Sequence, residues 1–196
     1  LYKDQAPQAA AAEAGNAPAP AADNSGDASE GTDGTAENAD AKEEVKEEVL
    51  GSPVNGKIVP LSEVSDPTFA SEMLGTTVAI EPSDGKIVAP CDGEVINIFE
   101  TGHAVCLTTQ AGGELLIHVG VDTVKLEGKG FTKKVSDGAK VHAGDVLIEA
   151  DLDTIKEAGY PATTMFILTN ADDFGKVEKA EPGDVTEGSR IMEISK

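Results

Sequence analysis

Three histidines are the side chains here whose type suits chemistry near neutral pH. His118 lies in Glu114-Leu115-Leu116-Ile117-His118-Val119-Gly120-Val121-Asp122. Strand alternation puts Leu115, Ile117 and Val119 on one face and Leu116, His118 and Gly120 on the other. That sets an imidazole on a mostly apolar surface with an open approach at Gly120. His103 lies in Phe99-Glu100-Thr101-Gly102-His103-Ala104-Val105, at a turn entering the preceding strand. If Ala104–Thr109 and Glu114–Val119 pair as a hairpin across Gln110–Gly113, both imidazoles come to its far end and meet. A neutral imidazole is a nucleophile and a metal ligand, so such a pair suits phosphoryl acceptance or metal binding. Two core-edge histidines, each satisfied by a backbone carbonyl, fit the same spacing. His142, in Lys140-Val141-His142-Ala143-Gly144, reads as a solvated turn residue. Cys91 and Cys106 are too few for a disulfide framework or a four-cysteine zinc site, and read as reduced, buried thiols.

The elements that must hold these residues are strands. From Gly51 onward, short Val and Ile runs alternate with Gly, Pro and Asp turns, which predicts an all-β domain. The predicted strands are Gly56–Pro60, Thr77–Pro82, Lys86–Ala89, Gly93–Ile98, Ala104–Thr109, Glu114–Val119, Lys140–Val141, Asp145–Asp151, Thr163–Leu168 and Ile191–Ile194. Two very short helices are expected. Asp66-Pro67 suits an N-cap and first turn for Pro67–Leu74, with Gly75 at the exit. Asp153–Ala158 closes at Gly159. The domain also echoes itself. Gly56-Lys57-Ile58-Val59 recurs as Gly85-Lys86-Ile87-Val88, and Val141–Glu149 resembles Val185–Glu193, each with a Gly-containing turn before a strand. A duplicated hairpin folded into a sandwich or flattened barrel, a barrel-sandwich hybrid, accounts for both.

Ahead of this domain the composition changes. Gln5 to Glu44 contains no Val, Ile, Leu, Met, Phe, Trp or Tyr, and residues 1–50 hold 12 acids against 3 bases. Such a segment cannot bury enough apolar area to offset its ordering entropy. Residues 1–50 are therefore predicted to be a disordered, acidic, Ala-rich linker, transiently helical at Lys42–Val49, and residues 51–196 the folded domain. The chain opens on Leu1 with no signal peptide, so a fragment of a longer polypeptide is expected. No run of 18 apolar residues occurs, which predicts no membrane span and no direct membrane contact. A formal charge of -21 argues against nucleic acid and anionic lipid as partners.

Several segments together resemble the glucose-type IIA domain of the bacterial phosphoenolpyruvate:sugar phosphotransferase system (PTS). They are Ser52-Pro53-Val54-Asn55-Gly56, Asp66-Pro67-Thr68-Phe69-Ala70, Val88-Ala89-Pro90-Cys91-Asp92-Gly93, Phe99–Ala104, Leu116–Val124 and Leu126–Phe131. The pairing of His118-x-Gly120-x-Asp122-Thr123-Val124 with Thr101-x-His103-Ala104 is the most specific of them. Asp153–Tyr160 and Thr169–Phe174 are similar to the C-terminal IIA part of fused β-glucoside or sucrose permeases.

The resemblance implies a β-sandwich phosphocarrier in the cytoplasm, tethered to a permease. His118 would be the phosphorylated residue and His103 the second active-site histidine, stabilising the phosphoryl group. Thr101 would orient His103, and the Gly120 carbonyl would anchor the His118 tautomer. The donor would be phospho-HPr. The acceptor would be a cysteine of a IIB domain, fused to IIC in the parent chain. No cofactor is implied. Phe69, Val78, Phe99, Leu116 and Val124 are candidates for an apolar docking rim. Asp66 and Asp122 are candidates to meet an Arg of HPr, besides acting as helix cap and turn former.

The chain departs from the family pattern at four positions, of which Cys91 and Cys106 stand where other small or apolar residues are expected. Met165 replaces a frequent Pro, and Gly102 loosens the residue before His103. A non-catalytic regulatory module of the same fold is the alternative. No metal is required, though zinc could bridge His103 and His118 to a partner's carboxylate. A zinc hydrolase lacks its His-x-His pair, and a biotinyl or lipoyl carrier lacks the flanks its lysine needs.

Overall fold

The computed structural model describes residues 47–196. Of the expected linker, residues 1–46 lie outside the described residues. Apolar runs punctuated by turn formers fold as strands throughout. These are β1 (Glu47–Gly51), β2 (Gly56–Val59), β3 (Thr76–Pro82), β4 (Lys86–Val88), β5 (Gly93–Ile98), β6 (Ala104–Thr109) and β7 (Glu114–His118). They continue as β8 (Phe131–Lys133), β9 (Lys140–Val141), β10 (Val146–Ala150), β11 (Thr164–Leu168), β12 (Lys176–Lys179), β13 (Gly183–Val185) and β14 (Arg190–Ser195). Two short α-helices, α1 (Pro67–Ala70) and α2 (Leu152–Glu157), interrupt them.

One eight-stranded sheet runs in the order β13-β2-β3-β11-β7-β6-β5-β9. Two three-stranded sheets, β1-β14-β12 and β4-β10-β8, complete the fold. The large sheet ends at β13 and β9 without closing, so the architecture is a sandwich and not a barrel. Its inward residues include Val78, Val105, Leu115, Ile117, Phe166 and Leu168. These join Ile87, Leu147, Ile148, Ile191 and Ile194 of the small sheets in one core cluster. Each large side chain so buried contributes roughly 1.5–3 kcal/mol. The outward face of the large sheet carries a second, smaller cluster of Val64, Phe69, Ala79, Val121, Met165 and Ile167. That cluster lies under α1. It explains why every residue of β11 is buried: this central strand is covered on both faces.

The ten predicted strands are all present, within a residue or so at their ends. Four more were not anticipated: β1, β8, β12 and β13. Each lies at the edge of its sheet. An edge strand pairs on one side only and keeps polar side chains in water, so it shows no apolar alternation to read. Glu47–Val49, read as transiently helical, is part of β1 and pairs with β14. The α1 helix is shorter than the expected Pro67–Leu74. It ends at Ala70 because Glu72 takes φ +54, a left-handed turn.

The duplication is real, and only one of the two echoes lies on it. β9 and β13 pair with β5 and β2, and each then turns into the central strand of a small sheet, β10 or β14. The longer echo, Val141–Glu149 with Val185–Glu193, spans these equivalent strands. The shorter echo places Gly56–Val59 in the large sheet and Lys86–Val88 in a small one, so it is coincidental. The true partner of Ser52–Gly56 is Ala89–Gly93, and their hydrogen bonds match one for one. Ser52 N donates to Ser189 O at 2.7 Å, as Ala89 N does to Asp145 O at 2.8 Å. Gly188 N donates to Ser52 O at 2.9 Å, as Gly144 N does to Ala89 O at 2.9 Å. Glu187 N reaches Asn55 Oδ1 at 2.8 Å, as Ala143 N reaches Asp92 Oδ1 at 2.9 Å.

Candidate functional site

The site grows from the β6–β7 hairpin. Its register pairs Ala104 with His118 and Thr108 with Glu114. Val119 N donates to His103 O at 2.8 Å, so the two histidines meet at the end opposite the turn. Their ring centroids are 4.9 Å apart, with planes inclined at 77°. Leu115, Ile117 and Val119 face the core, while Leu116 and His118 lie on the outward face.

Each ring is held through Nδ1. The Gly120 carbonyl lies 2.8 Å from His118 Nδ1. A carbonyl only accepts, so this nitrogen carries the proton and Nε2 keeps its lone pair. Thr101 Oγ1 lies 2.5 Å from His103 Nδ1. When this hydroxyl donates, His103 carries its proton on Nε2. His103 is only 5 % exposed, and burial, followed by the neighbouring His118 charge, pushes its pKa down to about 4. The His118 pKa is lowered as well. Burial is the main cause, partly offset by the Gly120 bond and the Asp66 and Asp122 charges. Both rings are neutral at pH 7.

A neutral, buried His103 makes stability pH-dependent. Its pKa lies below the unfolded value of 6.5, so the unfolded chain binds more protons between pH 6.5 and about 4. The stabilisation is complete above 6.5 and is lost as pH falls towards 4. Its size is on the order of 2 kcal/mol, allowing for water at the ring edge. Wild type should therefore lose more melting temperature between pH 7 and pH 5 than His103→Gln. Equal losses in the two would remove His103 as the acid-sensitive group.

The turn after His118 is over-determined. Thr123, fully buried, donates its hydroxyl to Val119 O, and Val121 N donates to Pro161 O at 3.0 Å. Gly120 has φ +78, and a Cβ there would lie 2.4 Å from Thr123 Cγ2 and 2.8 Å from Pro161 O. Gly120→Ala should cost about 2 kcal/mol or more in urea unfolding. It should also displace the carbonyl from His118, which the 15N chemical shifts of the imidazole would report. An unchanged unfolding midpoint would contradict this. Gly102 does the reverse of loosening its turn. Its φ is +70, Phe131 Cβ and Lys133 Cγ would stand 3.1 and 3.3 Å from an added Cβ, and its N–H donates to Phe99 O at 2.8 Å.

The expected rim divides. Phe99 and Val124 are exposed at the surface, and the Phe99 ring lies 5.3 Å from that of His103. Leu116 is half-buried on the His118 face. Phe69 is a floor more than a rim: it is buried in the outer cluster, with its ring 5.1 Å from that of His118. Val78 is corrected. It points into the main core, because alternation along β3 turns Ala79, not Val78, towards Phe69. Asp66 Oδ1 caps α1 by accepting from Thr68 N at 2.7 Å. Asp122 takes φ +60 in the turn after His118 and pairs with Lys125 at 3.0 Å.

Met165 and Thr123 were not singled out for this site. Met165 is the cross-strand neighbour of His118 on β11, and alternation within Thr163–Leu168 was the available signal. Cys91 is buried and its thiol is pushed up to about 12 by burial; Cys106 is half-buried, its thiol raised by the same cause. His142 is solvated, 3.8 Å from Asp145. Among the described residues, no group of three or more His, Cys, Asp or Glu could hold a metal. No described helix is long and apolar enough to cross a membrane.

Comparison with known proteins gives the family and the fold. The family model described as phosphoenolpyruvate-dependent sugar phosphotransferase system, EIIA 1, matches residues 48–174. The chain is 44% identical over 151 residues to a PTS system beta-glucoside-specific EIIBCA component of Halalkalibacterium halodurans, covering 77% of this chain and 24% of that protein. It thus spans about a quarter of such fused relatives. It is 41% identical over 152 residues to a PTS system glucose-specific EIIA component of Oceanobacillus iheyensis, covering 77% of this chain and 92% of that one. The solved glucose permease IIA from Mycoplasma capricolum superposes with a TM-score of 0.67 at 33% identity, covering 76% of this chain and 96% of that chain. A β-sandwich with paired imidazoles on one sheet face, matched to this family over most of its length, belongs to the EIIA 1 family of the sugar phosphotransferase system.

Proposed function

We propose that the domain is a phosphocarrier. His118 takes a phosphoryl group from the phosphohistidine of HPr and passes it to a cysteine of a IIB domain, which phosphorylates sugar during uptake. The observation that carries this reading is the 2.8 Å contact between His118 Nδ1 and the Gly120 carbonyl, beside a second imidazole 4.9 Å away. The contact leaves Nε2 as the free nucleophile.

The step balances without proton movement at His118. Nε2 attacks phosphorus in line, the P–N bond to the donor imidazole breaks, and a new P–N bond forms. The His118 ring now carries a positive charge spread over both nitrogens. The Gly120 carbonyl, Asp66 and Asp122 favour that charge. When a IIB thiolate attacks in turn, neutral His118 departs with its Nδ1 proton in place. His103, oriented by Thr101, donates from Nε2–H to the phosphoryl oxygens. Little else is needed beyond positioning and charge stabilisation.

Phe99, Leu116 and Val124, with Phe69 beneath them, form the apolar surface on which HPr and IIB dock in turn. Asp66 and Asp122 offer charge to a basic side chain of HPr. The acidic segment ahead of Glu47 tethers the carrier to a permease on the cytoplasmic side, as the fused architecture of relatives such as the EIIBCA components supports. The test is intact mass after incubation with phosphoenolpyruvate, enzyme I and HPr. One acid-labile phosphoryl group should be gained, and no gain would reject the carrier reading.

A further inference from the structure

The α1 segment places Phe69 against His118, yet α1 has only four residues and cannot support itself. Just beyond it Glu72 adopts φ +54, a conformation that persists in a non-glycine residue only where the surroundings over-determine it. The surroundings are visible. Glu72 Oε1 accepts from Thr77 N of β3 at 2.8 Å and from Lys179 Nζ of β12 at 2.7 Å. Lys179 Nζ also donates to the Thr77 carbonyl at 3.3 Å. Burial penalises the Glu72 charge, but the Lys179 and Thr77 bonds outweigh it and hold the carboxyl below its ordinary pKa. Among the described residues, no other side chain from Asp66 to Leu74 hydrogen-bonds to a strand.

We propose that the Glu72–Lys179 pair is a positioning clamp: it fixes α1 on the sheet and so sets the Phe69 ring against His118. The ends of the pair are 37% and 34% exposed, so water screens it and it adds little to stability. Its effect lies in geometry. The expected effect on rate rests on the phosphocarrier reading; the geometric effect does not.

The test compares Lys179→Met and Lys179→Arg with wild type and with Phe69→Ala, each labelled for NMR of the histidine rings. Lys179→Met should melt near wild type while its His118 ring signals move towards those of Phe69→Ala. Lys179→Arg, which keeps the ion pair, should return them to the wild-type positions. Transfer from phospho-HPr to Lys179→Met should slow about ten-fold in maximal rate with half-saturating HPr unchanged, a fraction of what full misplacement costs. If Lys179→Met fails to fold, Glu72→Gln, which keeps an acceptor for Thr77 N, takes its place. A folded variant with wild-type His118 signals would overturn the clamp. If wild type gains no phosphoryl group, the carrier reading falls while the ring signals still decide the clamp.

Discussion

His118→Ala should accept no phosphoryl group, a loss of at least about 10⁴-fold against wild type under the same donor conditions. The reason is structural as well as chemical. His118 is the imidazole whose Nδ1 is committed to a backbone carbonyl, so its Nε2 lone pair faces outward from an apolar strand. His103 cannot replace it. Its Nδ1 is engaged by Thr101, and only 5 % of its surface is exposed. The alanine variant should keep its fold, since His118 lies on the outward face with its backbone paired to Met165 and Ala104. Intact mass with phosphoenolpyruvate, enzyme I and HPr, beside a circular dichroism spectrum, checks both points. A folded His118→Ala that still gains one acid-labile phosphoryl group would assign the nucleophile elsewhere.

His103→Ala should separate the two half-reactions. On the proposed mechanism acceptance depends on the His118 lone pair, and the Gly120 carbonyl contact that frees it does not involve His103. Donation is different. On the phosphocarrier reading, charge gathers on the phosphoryl oxygens as the IIB thiolate attacks, and His103, with its ring 4.9 Å from that of His118, would be a donor beside them. Removing one such donor costs about 10²–10³-fold in rate. His103→Ala should therefore gain phosphate from HPr at near the normal rate and pass it to IIB some hundred-fold more slowly. His103→Gln, with an amide N–H in the same region, should recover part of that loss. Rapid-quench measurement of the two half-reactions decides. Donation to IIB at the normal rate from His103→Ala would remove the stabilising role. The low pKa of His103, about 4, fits a role as neutral donor before transfer; a phosphoryl dianion on His118 would then draw a proton towards it.

Most of this site was legible as sequence because its parts are local. The β6–β7 hairpin needs only two alternating runs and the Gln110–Gly113 turn. The meeting of His103 and His118 follows from that pairing. The Asp66 cap, the strand identities and the longer echo depend on residues within a few positions of each other, or on a repeated pattern. The Thr101 and Gly120 contacts, equally local, were expected from the family resemblance. Val78 was placed wrongly because a strand in the middle of a covered sheet is apolar on both faces. Alternation then says that Val78 and Ala79 differ, but not which of them faces Phe69.

The sequence by itself supplied the two imidazoles, the hairpin that brings them together and the all-β grammar around it. Spacing alone left phosphoryl acceptance, metal binding and two satisfied core-edge histidines open, and the family resemblance chose among them. The tertiary structure alone decided what depends on distant partners. It made strands of β1, β8, β12 and β13, whose polar residues are held extended by a neighbour's backbone and not by their own pattern. It matched Ser52–Gly56 with Ala89–Gly93, an equivalence visible in shared hydrogen bonds more than in shared letters. It joined Glu72 to Lys179, 107 positions apart, because two charges in water carry no signal of each other until the sheet brings them within 2.7 Å.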